Sequence, residues 1–203
     1  MRPFLALLLA CLSAIGIAQK DPAEERITCD YHDVTILQAI KDVFGRVGIS
    51  YSVQEGIGGR VTAHLPKMTF DRALQALLRS CYLTYRCEGG VYQIVKREAQ
   101  DPPEPPLDPP GLPKDKGLAV KAVNENAIDL LDRVLRKSGK PYVIGLALPA
   151  SVSLDVSAQP LAKTLVEIGR QSHGTVSFED GVWIFSGPPP PDEPSFGIPP
   201  QPE

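Results

Sequence analysis

Ile27, Cys29 and Tyr31 alternate with Thr28 and Asp30, the period-two pattern of a half-buried strand. The period then lengthens: Ile36, Ile40, Val43, Phe44 and Val47 recur at helical spacing. Asp33 or Thr35 can cap the amino end of this helix, and Gly48 falls where the chain must leave it. A strand over Ile49–Val53, a turn at Gly56–Gly59 and a strand over Arg60–Leu65 follow, the last ended by Pro66. The spacing predicts a second helix over Thr69–Cys81, with Phe70, Ala73, Leu74, Leu77, Leu78 and Cys81 on one face. Leu83–Cys87 and Val91–Lys96 flank Glu88-Gly89-Gly90, the composition of a hairpin turn. The order of elements is β-α-β-β-α-β-β.

The same order returns further along the chain. At a constant ungapped offset Val43, Gly48, Tyr51, Val61 and Leu74 meet Val134, Gly139, Tyr142, Val152 and Leu165. Arg79, Thr84, Glu88, Gly90 and Val91 meet Arg170, Thr175, Glu179, Gly181 and Val182. Apolar character is kept where identity is not, as in Ile40 with Leu131, Phe44 with Leu135, Phe70 with Leu161 and Leu77 with Ile168. Asn124 or Asn126 takes the helix-capping place, and Glu179-Asp180-Gly181 the hairpin turn. A repeat without gaps is the mark of an internally duplicated supersecondary unit. The fold class expected is therefore α+β, two tandem β-α-β-β-α-β-β units at residues 26–98 and 118–187.

Proline sets their boundaries. The chain has 203 residues and 21 prolines, of which seven lie between Gln100 and Gly117 and eight between Pro188 and Pro202. Such stretches neither join a β-ladder nor continue a helix, and favour extended polyproline II. Residues 99–117 are expected to act as a Pro-rich linker, and 188–203 as a Pro-rich disordered tail. Pro102–Pro113 spans roughly 35 Å in that conformation, as a semi-rigid spacer holding the two blocks apart. The run Pro188–Pro191 is also a candidate ligand for an aromatic groove on a partner.

The amino end is an address. Met1 and Arg2 precede an apolar run from Pro3 to Ala18, closed by the small residues of Gly16-Ile17-Ala18. This is the form of a secretory signal at residues 1–18, too short for a stable transmembrane anchor. Leu8-Leu9-Ala10-Cys11 offers the alternative of a lipoprotein anchored in a membrane at Cys11. Either way the protein is expected to be exported, periplasmic or extracellular.

Four strings carry a family likeness. Gly59-Arg60-Val61-Thr62 is followed by Met68-Thr69-Phe70-Asp71-Arg72-Ala73-Leu74-Gln75-Ala76-Leu77-Leu78, and Leu83-Thr84-Tyr85-Arg86 then precedes Gly89-Gly90. With Thr35-Ile36-Leu37-Gln38-Ala39-Ile40 upstream, this resembles the secretin/TonB short N-terminal (STN) domain over residues 27–96. The second unit carries the likeness through the first. The resemblance implies a periplasmic module that docks envelope machinery, and implies no catalytic residue. The partners it suggests are an envelope protein such as a secretin, a pilus component or a TonB-system component. It does not extend to a pore or a receptor barrel, because the β-rich region those need is not in this sequence.

Charge and chemistry narrow the reading further. The net charge is −3, and no basic stripe is present to bind nucleic acid. No nucleophile motif, phosphate loop or dinucleotide fingerprint occurs, so no catalytic residue and no cofactor is assigned. Cys29 and His32 point to opposite sides of a strand, and the expectation is a buried thiol with exposed imidazoles at His32 and His64 rather than a metal site. In an exported protein, one disulfide among Cys29, Cys81 and Cys87 is expected, Cys81–Cys87 or Cys29–Cys87. The functional expectation is a non-enzymatic protein–protein interaction or adaptor module. The alternatives are a small-ligand or peptidoglycan-binding protein, an enzyme of unrecognised type, and a spacer built from oligomerising domains. Candidate docking edges are the first and last strands of each unit, with Ile27, Cys29, Tyr31, Tyr92, Ile94, Trp183 and Phe185 as the partner-strand candidates, and a homo-oligomer is compatible with them.

Overall fold

The structure is a computed structural model that describes residues 24–97, 117–146 and 150–188. The signal at 1–18, and nearly all of the linker at 99–117 and of the tail, lie outside the described residues. In the first half β1 (Arg26–Thr35) leads into α1 (Ile36–Val47), and then come β2 (Tyr51–Val53), β3 (Arg60–Thr69), α2 (Phe70–Ser80), β4 (Leu83–Glu88) and β5 (Val91–Lys96). The second half repeats that order with β6 (Leu118–Asn126), α3 (Ala127–Ser138), β7 (Tyr142–Leu146), β8 (Ser151–Gln159), α4 (Leu161–Gln171), β9 (Thr175–Glu179) and β10 (Val182–Ser186).

The duplication reaches the finest backbone detail. Asp33 and Asn124 both take a left-handed conformation, with φ of 52° and 51°, and Tyr82 and His173 share φ of 56°. At the first pair the amide donates to a hydroxyl on the neighbouring strand, Asp33 N to Thr62 Oγ1 and Asn124 N to Ser153 Oγ. The cap therefore falls two residues later in each half: Thr35 accepts from Gln38 N and Asn126 from Ile128 N. Asp33 and Asn124, the alternative caps, serve instead as the bulge residues that turn the strand toward its helix. Gly48 and Gly139 both end their helices at φ 68°, a conformation that glycine alone adopts without a Cβ penalty.

Three strand boundaries in the first half differ from those expected. β1 runs past Tyr31 to Thr35. β2 begins at Tyr51 rather than Ile49. β3 does not stop at Pro66 but runs on to Thr69, because Ile27 and Arg26 of β1 pair with Met68 and Thr69 beyond it. The register shift between Ile27 and Cys29 accommodates the proline, and Lys67, at φ 50°, donates its amide to Thr28 Oγ1. A bulge is where a strand tolerates a residue with no amide hydrogen.

Each half packs its two helices against a core of its own. Ile36, Ile40, Val43 and Phe44 of α1 meet Phe70, Leu74 and Leu77 of α2 around Cys29, Leu65 and Ile94. Leu131, Val134 and Leu135 of α3 meet Leu165 and Ile168 of α4 around Trp183 and Phe185. The expectation of two blocks held apart by a spacer is not met. One mixed sheet, in the order β1-β3-β7-β10-β9, crosses both halves, parallel only where β7 meets β10. Arg60 to His64 of β3 pair with Leu146 to Tyr142 of β7. The first core also takes in Val143, Val182 and Ile184 from the second half. The physical reason is that β3 has two sides: β1 satisfies one row of amides and carbonyls, and β7 satisfies the other.

Candidate interaction surface

The remaining sheets decide which backbone edges are open. β2-β5-β4 forms a three-stranded sheet in the first half, and β6-β8 a two-stranded one in the second. Tyr92 and Ile94 lie on β5, which is paired on both sides, parallel to β2 and antiparallel to β4. Trp183 and Phe185 lie on β10, likewise paired on both sides, by β7 and β9, and both are buried. Those four residues are therefore not on docking edges. The short strand after the first helix returns to pair in parallel with the last strand, a long-range pairing that local alternation does not reveal. Ile27, Cys29 and Tyr31 are on β1, an edge of the five-stranded sheet, with their side chains directed into the core.

The joint between the halves carries the densest cross-half polar contacts of the described residues. Asp30, His64 and Tyr142 are register neighbours across β1, β3 and β7. Arg136 of α3 reaches over them, with Nη2 2.9 Å from Asp30 Oδ1 and Nε 3.1 Å from both oxygens of Asp132. The Tyr142 hydroxyl donates to Asp132. Hydrogen bonding from Arg136 holds the Asp30 carboxyl below its usual range, against a smaller effect of burial. Burial, followed by the hydrogen bond to Asp132, pushes the Tyr142 phenol up. His64 is half-buried rather than exposed, its Nδ1 3.5 Å from Asp30 Oδ2. On the other face of the sheet Arg79 pairs with Glu179, Ser186 Oγ donates to the Arg79 carbonyl, and Tyr82 Oη donates to the Gly187 carbonyl at 2.6 Å.

The cysteines stand apart. Cys29, Cys81 and Cys87 are free thiols, buried, half-buried and exposed in turn, so neither expected disulfide is formed. Cys81 ends α2, with Sγ 3.7 Å from Ser80 Oγ. Cys87 lies far along β4 opposite Tyr92, and each strand residue adds about 3.3 Å, beyond the Cα spacing a disulfide accepts. Burial raises the thiol pKa of Cys29 and of Cys81. Among the described residues no group of three or more His, Cys, Asp or Glu side chains is placed to hold a metal ion.

Among the described residues the open edges are those of β1 and β9 in the large sheet, β2 and β4 in the three-stranded one, and β6 and β8 in the pair. β1 and β6 are each broken by two register shifts. β9 is regular throughout, its five residues pairing in step with β10 from Thr175↔Ser186 to Glu179↔Val182. β9 is not among the first and last strands, where the sequence placed the docking edges.

No family model matches this chain, and no curated protein does. Among solved structures it is similar to the N-terminal domain of the secretin XcpQ from Pseudomonas aeruginosa, with 14% identity, a TM-score of 0.30, and coverage of 54% of this chain and 47% of that chain. A dimeric mutant of the same domain matches with 16% identity, a TM-score of 0.29, and coverage of 54% and 46%. The chain thus spans less than half the length of either structure.

Proposed function

We propose that this protein is a non-enzymatic, exported interaction module of the bacterial cell envelope, built from two tandem STN-like units that together form one docking body. Its work is to accept an extended segment of an envelope protein, of secretin, pilus or TonB-system type, as an added strand. The observation that carries this reading is the unbroken outer edge of β9, at the end of a sheet that runs through both halves. An edge of this kind presents a row of backbone donors and acceptors, and native proteins blunt such edges unless they are used.

The test is capture from envelope extracts with the purified mature chain as bait, beside a Val176→Pro bait. Proline removes an amide from the edge while remaining compatible with an edge strand. The expected result is an envelope protein retained by the wild-type chain and lost from the variant. Retention of the same proteins by both baits, or of none by either, overturns the reading.

A further inference from the structure

We infer that the β9 edge also binds a second copy of this chain, through antiparallel pairing of β9 with β9 about a two-fold axis at Ser177. This rests on the reading of β9 as a docking edge.

The other edges are each closed by a local device. β1 and β6 carry bulges at Asp33 and Asn124, which bend them away from a flat partner. β2 has three residues, too few to offer a ladder. β4 presents exposed Arg86 and Glu88. On β8 the Ser153 amide donates to Gln171 Oε1 at 3.3 Å, so a side chain occupies that edge.

β8 and β2 are also the repeat counterparts of β3 and β7, the strands that join the two halves. A head-to-tail copy of that joint between molecules does not fit. Gly145 of β7 passes over the carbonyl of Ser80 with no room for a Cβ, and its counterpart is Gln54. Val143 and Ile184, apolar against α2, are replaced by Ser52 and Gln93. The joint that closes this molecule is unsuited to chain growth.

β9 has none of these devices. Its counterpart to Arg86 is Ser177, and its one charge, Glu179, is already paired with Arg79. Asp180 and Gly181, at φ 49° and 83°, form a two-residue turn of the mirror-image type, which makes Glu179 and Val182 the hydrogen-bonded pair beside it. Counting back, the Val176 and Phe178 amides and carbonyls face outward, and those of Ser177 face β10. A two-fold axis at Ser177 then sets Val176 of one copy against Phe178 of the other, an apolar pair, with their backbone groups exchanging bonds. Thr175 comes opposite Glu179, so no like charges meet. The contact is isologous, and it closes as a dimer by continuing the sheet that already joins the halves.

Sedimentation of the purified mature chain from low to high micromolar concentration is expected to show twice the monomer mass at the upper end, and Val176→Pro is expected to stay monomeric. Because that proline also acts on folding, Ser177→Cys supplies an independent arm in a Cys81→Ser, Cys87→Ser background. At a non-hydrogen-bonded antiparallel position the two Cα atoms are about 4.5 Å apart, within disulfide reach. Diamide oxidation is expected to link the Ser177→Cys copies quantitatively, and Thr175→Cys copies hardly at all. A chain that remains monomeric and does not cross-link at Ser177→Cys overturns the dimer. Loss of the envelope partner from Val176→Pro in the capture experiment then still upholds the docking edge, so the two failures are distinct.

Discussion

Gly145 on β7 lies directly over the carbonyl group of Ser80 at the end of α2, with no space between them for a side chain. The second half of the molecule is thereby seated on the helix of the first. Gly145→Ala places a methyl group in that contact, and overpacking of this kind costs about 1–3 kcal/mol. Urea denaturation is expected to show the loss as a lower midpoint, or as separation of one transition into two. A midpoint and slope unchanged from wild type would show that the close approach does not hold the halves together.

The Asp30–Arg136 pair makes the joint sensitive to acid. Arg136 lowers the folded-state pKa of Asp30, so its contribution is fully present above the ordinary carboxylate value and is lost as pH falls through the lowered one. Both side chains are about half exposed, which limits the effect to under about 1 kcal/mol. Arg136→Met is expected to lower stability at pH 7 and to flatten its decline below pH 4. Parallel curves for the two proteins between pH 3 and pH 7 would count against the link.

Thiol chemistry separates the three cysteines among the described residues. Cys87 is exposed, Cys81 half-buried and Cys29 enclosed in the first core. Burial raises the pKa of the last two, which further reduces their thiolate fraction. Ellman titration of the native protein is expected to show one fast thiol, removed by Cys87→Ser, with Cys29 reacting only on unfolding. A Cys81–Cys87 peptide in a non-reducing digest would contradict this arrangement.

Tyr85 reports on the helix–sheet contact of the first half. Its hydroxyl donates to Asp71, and burial together with that carboxylate pushes the phenol up to about 12. Asp71→Asn removes the neighbouring charge. In alkaline absorbance titration one tyrosine is expected to move toward the ordinary value in the variant. A titration curve identical to wild type would place the phenol away from Asp71.

Much of this architecture was legible in the residues. Period-two and helical spacings locate most of the first half's elements within two residues; the exceptions are β1, which runs past Tyr31 to Thr35, and β3, where Pro66 reads as a stop. Proline does end a regular strand, but here the bulge opposite Ile27 and Cys29 absorbs it, and a bulge depends on the partner strand. The inward direction of Ile27, Cys29 and Tyr31 was equally plain, since alternation fixes the face. Tyr92, Ile94, Trp183 and Phe185 were misjudged as edge residues for a different reason. Alternation says which face a residue occupies and nothing about which strand lies beside it.

The duplication, the glycines that end the first helix of each half, and the caps at Thr35 and Asn126 are written in the chain, because each depends on residues a few positions apart. The union of the halves is not. It needs Gly145 to meet Ser80, Arg136 to meet Asp30, and β7 to lie along the open side of β3. Those partners are far apart in sequence, and their fit depends on shape and backbone hydrogen bonding across a sheet. Only the assembled fold brings them together and leaves the outer edge of β9 unpaired among the described residues.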